Sequence, residues 1–94
     1  MPVEIVWSAL ARTQLQEIRS YVAQDKPDAA ERLATRIVAA TEALRNYPHM
    51  GWIGTHPDTR ELLIGMTPYI VVYRIHGNRV TIATIWHGAQ RQKL

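Results

Sequence analysis

Residues 69–87 constrain this chain more than any other stretch. Tyr69-Ile70-Val71-Val72-Tyr73 is an unbroken run of aromatic and β-branched side chains that continues through Arg74 to Ile75. Such side chains fit a pleated surface better than a helix. His76-Gly77-Asn78-Arg79 follows, and Gly77 can take the positive φ that a type II′ turn needs at its first central position. From Val80 to His87 a second strand is expected, with Val80, Ile82 and Trp86 alternating with Thr81 and Ala83. The whole reads as a β-hairpin.

The elements before it follow from a change of period. Val3 to Trp7 is a short apolar and β-branched run around Glu4, consistent with a first strand. Ser8 is the expected N-cap of a helix, its hydroxyl able to accept from a free N–H of the first turn. Ala11, Leu15, Ile18 and Val22 then fall on one helical stripe, leaving Arg12, Gln16 and Arg19 towards water. Asp25-Lys26-Pro27-Asp28 interrupts the pattern, and Pro27 suits the first position of a second helix. Its stripe is Ala30, Leu33, Ile37, Ala40 with Thr41, and Leu44, ending near Asn46 because Pro48 disfavours helical geometry at Tyr47. Residues 48–59, with Pro48, Gly51, Gly54 and Pro57, read as a loop. Arg60 to Ile64 is a further strand, and Gly65-Met66-Thr67-Pro68 turns the chain into Tyr69. The order β-α-α-β-β-β predicts one α+β domain over 1–94. We expect a twisted, mainly antiparallel sheet with the N-terminal helical hairpin packed on one face.

Composition limits the setting. The 94 residues include no cysteine, which excludes disulfides and thiolate metal sites and is compatible with a reducing compartment. The four histidines, His49, His56, His76 and His87, lack zinc-like spacing, so no metal and no cofactor is expected. Neither a signal peptide nor an apolar run long enough to span a bilayer is visible, which points to the cytoplasm and away from membranes. The formal charge of +3 is unevenly spread. Residues 1–61 carry seven basic and eight acidic side chains, whereas residues 62–94 carry Arg74, Arg79, Arg91 and Lys93 and no acid. That field favours an anionic partner such as a phosphate backbone or an acidic polypeptide.

Four local patterns occur in order along the chain: Pro48-His49-Met50-Gly51, Arg60-Glu61-Leu62-Leu63-Ile64, Tyr69-Ile70-Val71-Val72-Tyr73-Arg74-Ile75, and Ile85-Trp86-His87-Gly88-Ala89-Gln90-Arg91. They resemble, respectively, the P-x-M-G turn, the R-x-L strand, the Y-x-V-x-Y-R-V strand and the V-L-H-G-A-R ending of RelE/ParE toxins. The resemblance covers essentially the whole chain. It implies the toxin of a bacterial type II toxin–antitoxin pair, held in a hetero-oligomer by a cognate antitoxin with an acidic tail. RelE-like members cut mRNA on the ribosome, whereas characterised ParE-like members poison DNA gyrase.

Cleavage by a 2′-OH needs a base, an acid and cations for the charged transition state. Of the positions where RelE-like members place such groups, Arg60 keeps a cation, Leu62 and Ile70 are apolar, and His87 is followed by Gly88 in place of a tyrosine. The resemblance therefore leans to the ParE branch, with gyrase as the expected target and no chemistry of its own. Two other readings stay open: a ribosome-dependent endoribonuclease, or an inactive toxin that keeps only antitoxin binding. Strand alternation puts Ile70, Val72 and Arg74 on one face, and Thr81, Ala83, Ile85 and His87 on one face of the next strand. If these sets coincide, Arg74 and His87 share a surface with Arg60 nearby, a phosphate site for the nuclease reading. Against it stand a pairing of Arg74 with a carboxylate such as Glu61, and a strand-capping role for His87. Trp7 and Trp86 are expected in the core at strand ends, while Trp52 in its Gly/Pro loop either anchors a partner or folds over the core edge. The expected binding set is Arg60, Arg74, His87, Arg91 and Trp52. The helical hairpin offers grooves for an amphipathic helix, and the sheet an edge for an added strand.

Overall fold

The computed structural model describes residues 2–88. Its elements are β1 (Glu4–Trp7), α1 (Ala9–Ala23), α2 (Pro27–Glu42), β2 (Trp52–Ile53), β3 (Arg60–Leu63), β4 (Tyr69–His76) and β5 (Arg79–His87). A 3-10 turn, Ala43–Arg45, extends α2 to Asn46. The strands form one sheet in the order β1-β5-β4-β3-β2. β1 runs parallel to β5 and every other neighbouring pair is antiparallel. The α+β fold is the expected one. It differs in one element: residues 48–59 are not all loop, because β2 adds an edge strand through the pairs Trp52–Glu61 and Ile53–Arg60. Two residues between glycines are too short for period-two alternation to mark them.

The helices start and stop where their local chemistry requires. Ala11 N–H donates to Ser8 Oγ at 3.0 Å, and the same hydroxyl donates to Ala83 O at 2.8 Å. One side chain thus caps α1 and fastens it to β5. Pro27 opens α2 without needing a capping side chain. The stripes Ala11-Leu15-Ile18 and Leu33-Ile37-Ala40-Leu44 meet the sheet face formed by Ile5, Trp7, Leu62, Tyr69, Val71, Tyr73, Ile75, Val80, Ile82 and Ile85. Gly77 takes φ 55 and Asn78 stays out of the left-handed region, as a II′ turn demands. In the β3–β4 turn it is Met66, not the adjacent Gly65, that adopts φ 63.

The feature that sets every side chain's direction in the hairpin is a β-bulge. Val72 pairs with Thr84 and Tyr73 with Ile82, so Ala83 has no partner across the ladder. A bulge inserts one residue and reverses the alternation beyond it. Val80 and Ile82 therefore share the helix-covered face with Ile85 and His87, while Thr81 shares the other face with Trp86. Beyond Trp7, where β1 ends, the free edge of β5 is met by α1. Ser8 N–H donates to Ile82 O at 2.9 Å, and Gln14 Oε1 accepts from Ile85 N at 2.7 Å and from Thr84 Oγ1 at 2.9 Å. Gln14→Ala leaves the Ile85 N–H without its acceptor. The expected loss is about 1–3 kcal/mol of unfolding free energy in urea titrations, against near-neutrality for Gln16→Ala on the solvent side.

Candidate functional site

The residues singled out by sequence do not form one constellation. Arg60 lies opposite Tyr73 and His87 opposite Tyr69, on the same side of the sheet but four residues apart along β4, a separation of roughly 13 Å. Arg74 pairs with Thr81 on the other face. The expectation that Arg74 and His87 share a surface is thus overturned, and the reason is the bulge at Ala83. The signal was present in the sequence as the three-residue step from Ile82 to Ile85. Leu62 and Ile70 are divided in the same way: Leu62 pairs with Val71 beneath the helices, and Ile70 with Leu63 and Trp86 on the far side.

These groups differ in their surroundings. Arg60 Nη1 donates to His49 O at 3.1 Å and to Gly51 O at 2.9 Å, so its guanidinium braces the turn before β2. Arg74 is exposed and takes no part in the ion pairs among the described residues, which are Arg19–Glu31, Arg45–Glu42 and Arg79–Glu4. The proposed Arg74–Glu61 pairing is therefore not found. Glu61 is buried and accepts from Thr55 N at 3.2 Å and Thr55 Oγ1 at 3.4 Å. His87 is exposed, with its ring edge-on to Tyr69 at 5.6 Å, beside a groove of about 280 Å³ lined by Gln14, Glu17, Ile18, Tyr21 and Ile85. Trp7 packs on the core as expected. Trp86 does not: it faces away from the helices and meets the His56 ring at 5.7 Å. Trp52 is exposed on the edge strand. Arg91 lies outside the described residues.

Sequence reading missed the group on which this end of the molecule depends. Tyr73 is fully buried, and its hydroxyl accepts from Gly51 N at 3.0 Å and donates to Pro48 O at 2.7 Å. The Pro48–Gly51 turn and the Tyr69–Ile75 strand, two patterns separate in sequence, are one structural unit. A side chain at Gly51 has no room, since a Cβ there would fall 2.6 Å from Tyr73 Oη and 2.8 Å from Glu61 O. Burial pushes the Tyr73 hydroxyl above the ordinary tyrosine value, partly offset by the Gly51 N–H and the Arg60 cation. Burial also raises Tyr69, helped by Tyr21. Among the described residues no cluster of His, Asp and Glu is placed to hold a metal ion, and no helix is long and apolar enough to cross a membrane.

With the geometry established, likeness to other proteins fixes the family. The family model for the ParE toxin of the type II toxin–antitoxin system, parDE, matches residues 5–92. This chain belongs to the ParE toxin family. A putative toxin, Y4kP, of Sinorhizobium fredii is 42% identical over 87 residues, 93% of this chain and 90% of the relative. Toxin RelE2 of Caulobacter vibrioides is 36% identical, over 93% of this chain and 97% of its own length. Among solved structures, a chain of the chromosomal ParDE system of P. aeruginosa superposes with a TM-score of 0.84 at 20% identity, covering 90% of this chain and 95% of that one. One from the RelBE2 toxin–antitoxin complex of Mycobacterium tuberculosis gives 0.70 at 20% identity, covering 93% and 99%. The chain is a RelE/ParE superfamily toxin of a type II toxin–antitoxin system.

The Tyr73 clamp yields a prediction in two parts. Tyr73→Phe strips partners from the Gly51 N–H and the Pro48 carbonyl and should lower stability by about 1–3 kcal/mol. Gly51→Ala should cost about as much through overpacking. For ionisation, the folded pKa exceeds the unfolded one, so this contribution is complete below about pH 10 and is lost as pH rises past it. Urea titrations across that range should show stability falling in the native chain and falling less in Tyr73→Phe.

Proposed function

We propose that this toxin acts by binding DNA gyrase and blocking its turnover, in the cytoplasm, and that a cognate antitoxin with an acidic tail neutralises it in a hetero-oligomer. The observation that carries the choice of target is the bulge at Ala83, which turns Arg74 and His87 to opposite faces of the sheet. A phosphoryl-transfer site needs its base, acid and cations within hydrogen-bond reach of one reacting phosphate. Here Arg60 braces backbone carbonyls on the helix side, Arg74 lies on the far side, and His87 lies opposite Tyr69, four residues along β4 from the Tyr73 that faces Arg60. The surfaces left over suit docking better than chemistry. Membership of the ParE family points the same way, and the ParDE and RelBE complexes among the similar structures support an antitoxin as partner.

Purified toxin added to gyrase, relaxed plasmid and ATP should abolish supercoiling. Messenger RNA from induced cells should give full-length primer-extension products. Untouched supercoiling at high toxin excess together with discrete codon-linked cuts would replace this reading with the endoribonuclease. If induction leaves growth unaffected and both assays are blank, the chain keeps only antitoxin binding.

A further inference from the structure

A groove of about 630 Å³ opens where β3 begins and β4 ends, and its lining includes His49, Ile53, Asp58, Arg60, Ile75 and His76. That volume falls among small-molecule sites, about 300–1,000 Å³, and exceeds what a bare inorganic anion fills. Its donors come from three parts of the chain: His49 from the turn before β2, Arg60 from β3 and His76 from the last position of β4. Arg60 is the oriented one. Its Nη1 holds His49 O and Gly51 O, while its Nε and Nη2 make no hydrogen bond among the described residues. The rings of His49 and His76 are exposed and likewise make none.

This donor set selects the ligand. A guanidinium fixed at one corner with two donors open suits an anion with paired oxygens. Each imidazole keeps at least one N–H whatever its charge, so both rings can donate. A phosphate monoester has three terminal oxygens and close to two charges, and can meet donors on several sides where a planar carboxylate cannot. Asp58 is the acid of the lining and opposes any anion; it forms no ion pair among the described residues. The remaining walls are aliphatic. Ile53 is 82% exposed, and with Ile75 it offers apolar surface that a flat base would take out of water.

We propose that this groove binds a nucleoside monophosphate, with the phosphate on Arg60, His49 and His76 and the base against Ile53 and Ile75. The site is independent of the toxin's target, and its test reads neither supercoiling nor transcripts. Adenosine monophosphate titrated into the purified chain should bind one to one in calorimetry and shift the amide resonances of His49, Arg60 and His76. Adenosine, inorganic phosphate and glucose 6-phosphate each lack half of the contacts and should bind roughly tenfold more weakly or worse. His49→Ala keeps the carbonyl that Arg60 uses. It and His76→Ala should each weaken the nucleotide by about three- to tenfold with unchanged thermal midpoints. Asp58 has φ 60, a conformation that asparagine also tolerates. Asp58→Asn should therefore keep the fold and tighten the nucleotide by about two- to fivefold. No binding of adenosine monophosphate would overturn the proposal, as would equal binding of adenosine or glucose 6-phosphate, or variants indistinguishable from the native chain. A single-stranded oligonucleotide that binds far more tightly, and is weakened by the same variants, would make the groove part of a nucleic-acid surface and the mononucleotide site wrong.

Discussion

One buried hydroxyl joins the middle of the sheet to its far edge. Tyr73 sits on β4, and its Oη spans to the turn that precedes β2, taking up one donor and one acceptor of that turn. A loop containing proline and glycines would otherwise carry unmet backbone groups into the interior, a cost larger than the net value of a typical hydrogen bond. Once the turn is fixed, its carbonyls at His49 and Gly51 fix the Arg60 guanidinium in their turn. The edge strand, the groove beneath it and the one oriented arginine of that region all descend from this contact.

Directly across from Tyr73 on the neighbouring strand, the second constraint is a misfit in the ladder. The extra residue at Ala83 lets β5 keep apolar side chains against the helices both before and after it. It also leaves part of the strand without a β1 partner, and α1 supplies the missing groups from Ser8 and Gln14. Helix, strand and bulge are mutually consistent, since each satisfies what another leaves open.

How much of this was legible in the sequence depends on the range of the interactions. The helices were readable because stripes such as Ala11-Leu15-Ile18 and caps such as Ser8 are local. So was the turn at Gly77, where one backbone conformation selects one residue type. β2 was not, because a two-residue strand exists only through its pairing with Glu61 and Arg60. Strict alternation carried through Ala83 misplaces His87 and Trp86, although the step from Ile82 to Ile85 marks the change of phase. Tyr73 was recognised as part of a strand and not as a clamp, since its partners lie 22 and 25 residues away.

The parallel pairing of β1 with β5 bears on how the molecule can come into being. Glu4 meets Arg79 across 75 residues of chain, so the first strand made is completed by the last. Non-local pairings of this sort slow folding, because loop-closure entropy must be met before the contact forms. The helical hairpin can assemble early, but its apolar stripes have no finished sheet to cover until residues 79–82 arrive beside 4–7. A nascent or truncated chain therefore exposes these surfaces without possessing the toxin's completed form. The complete fold is available only once residues 79–82 have been made.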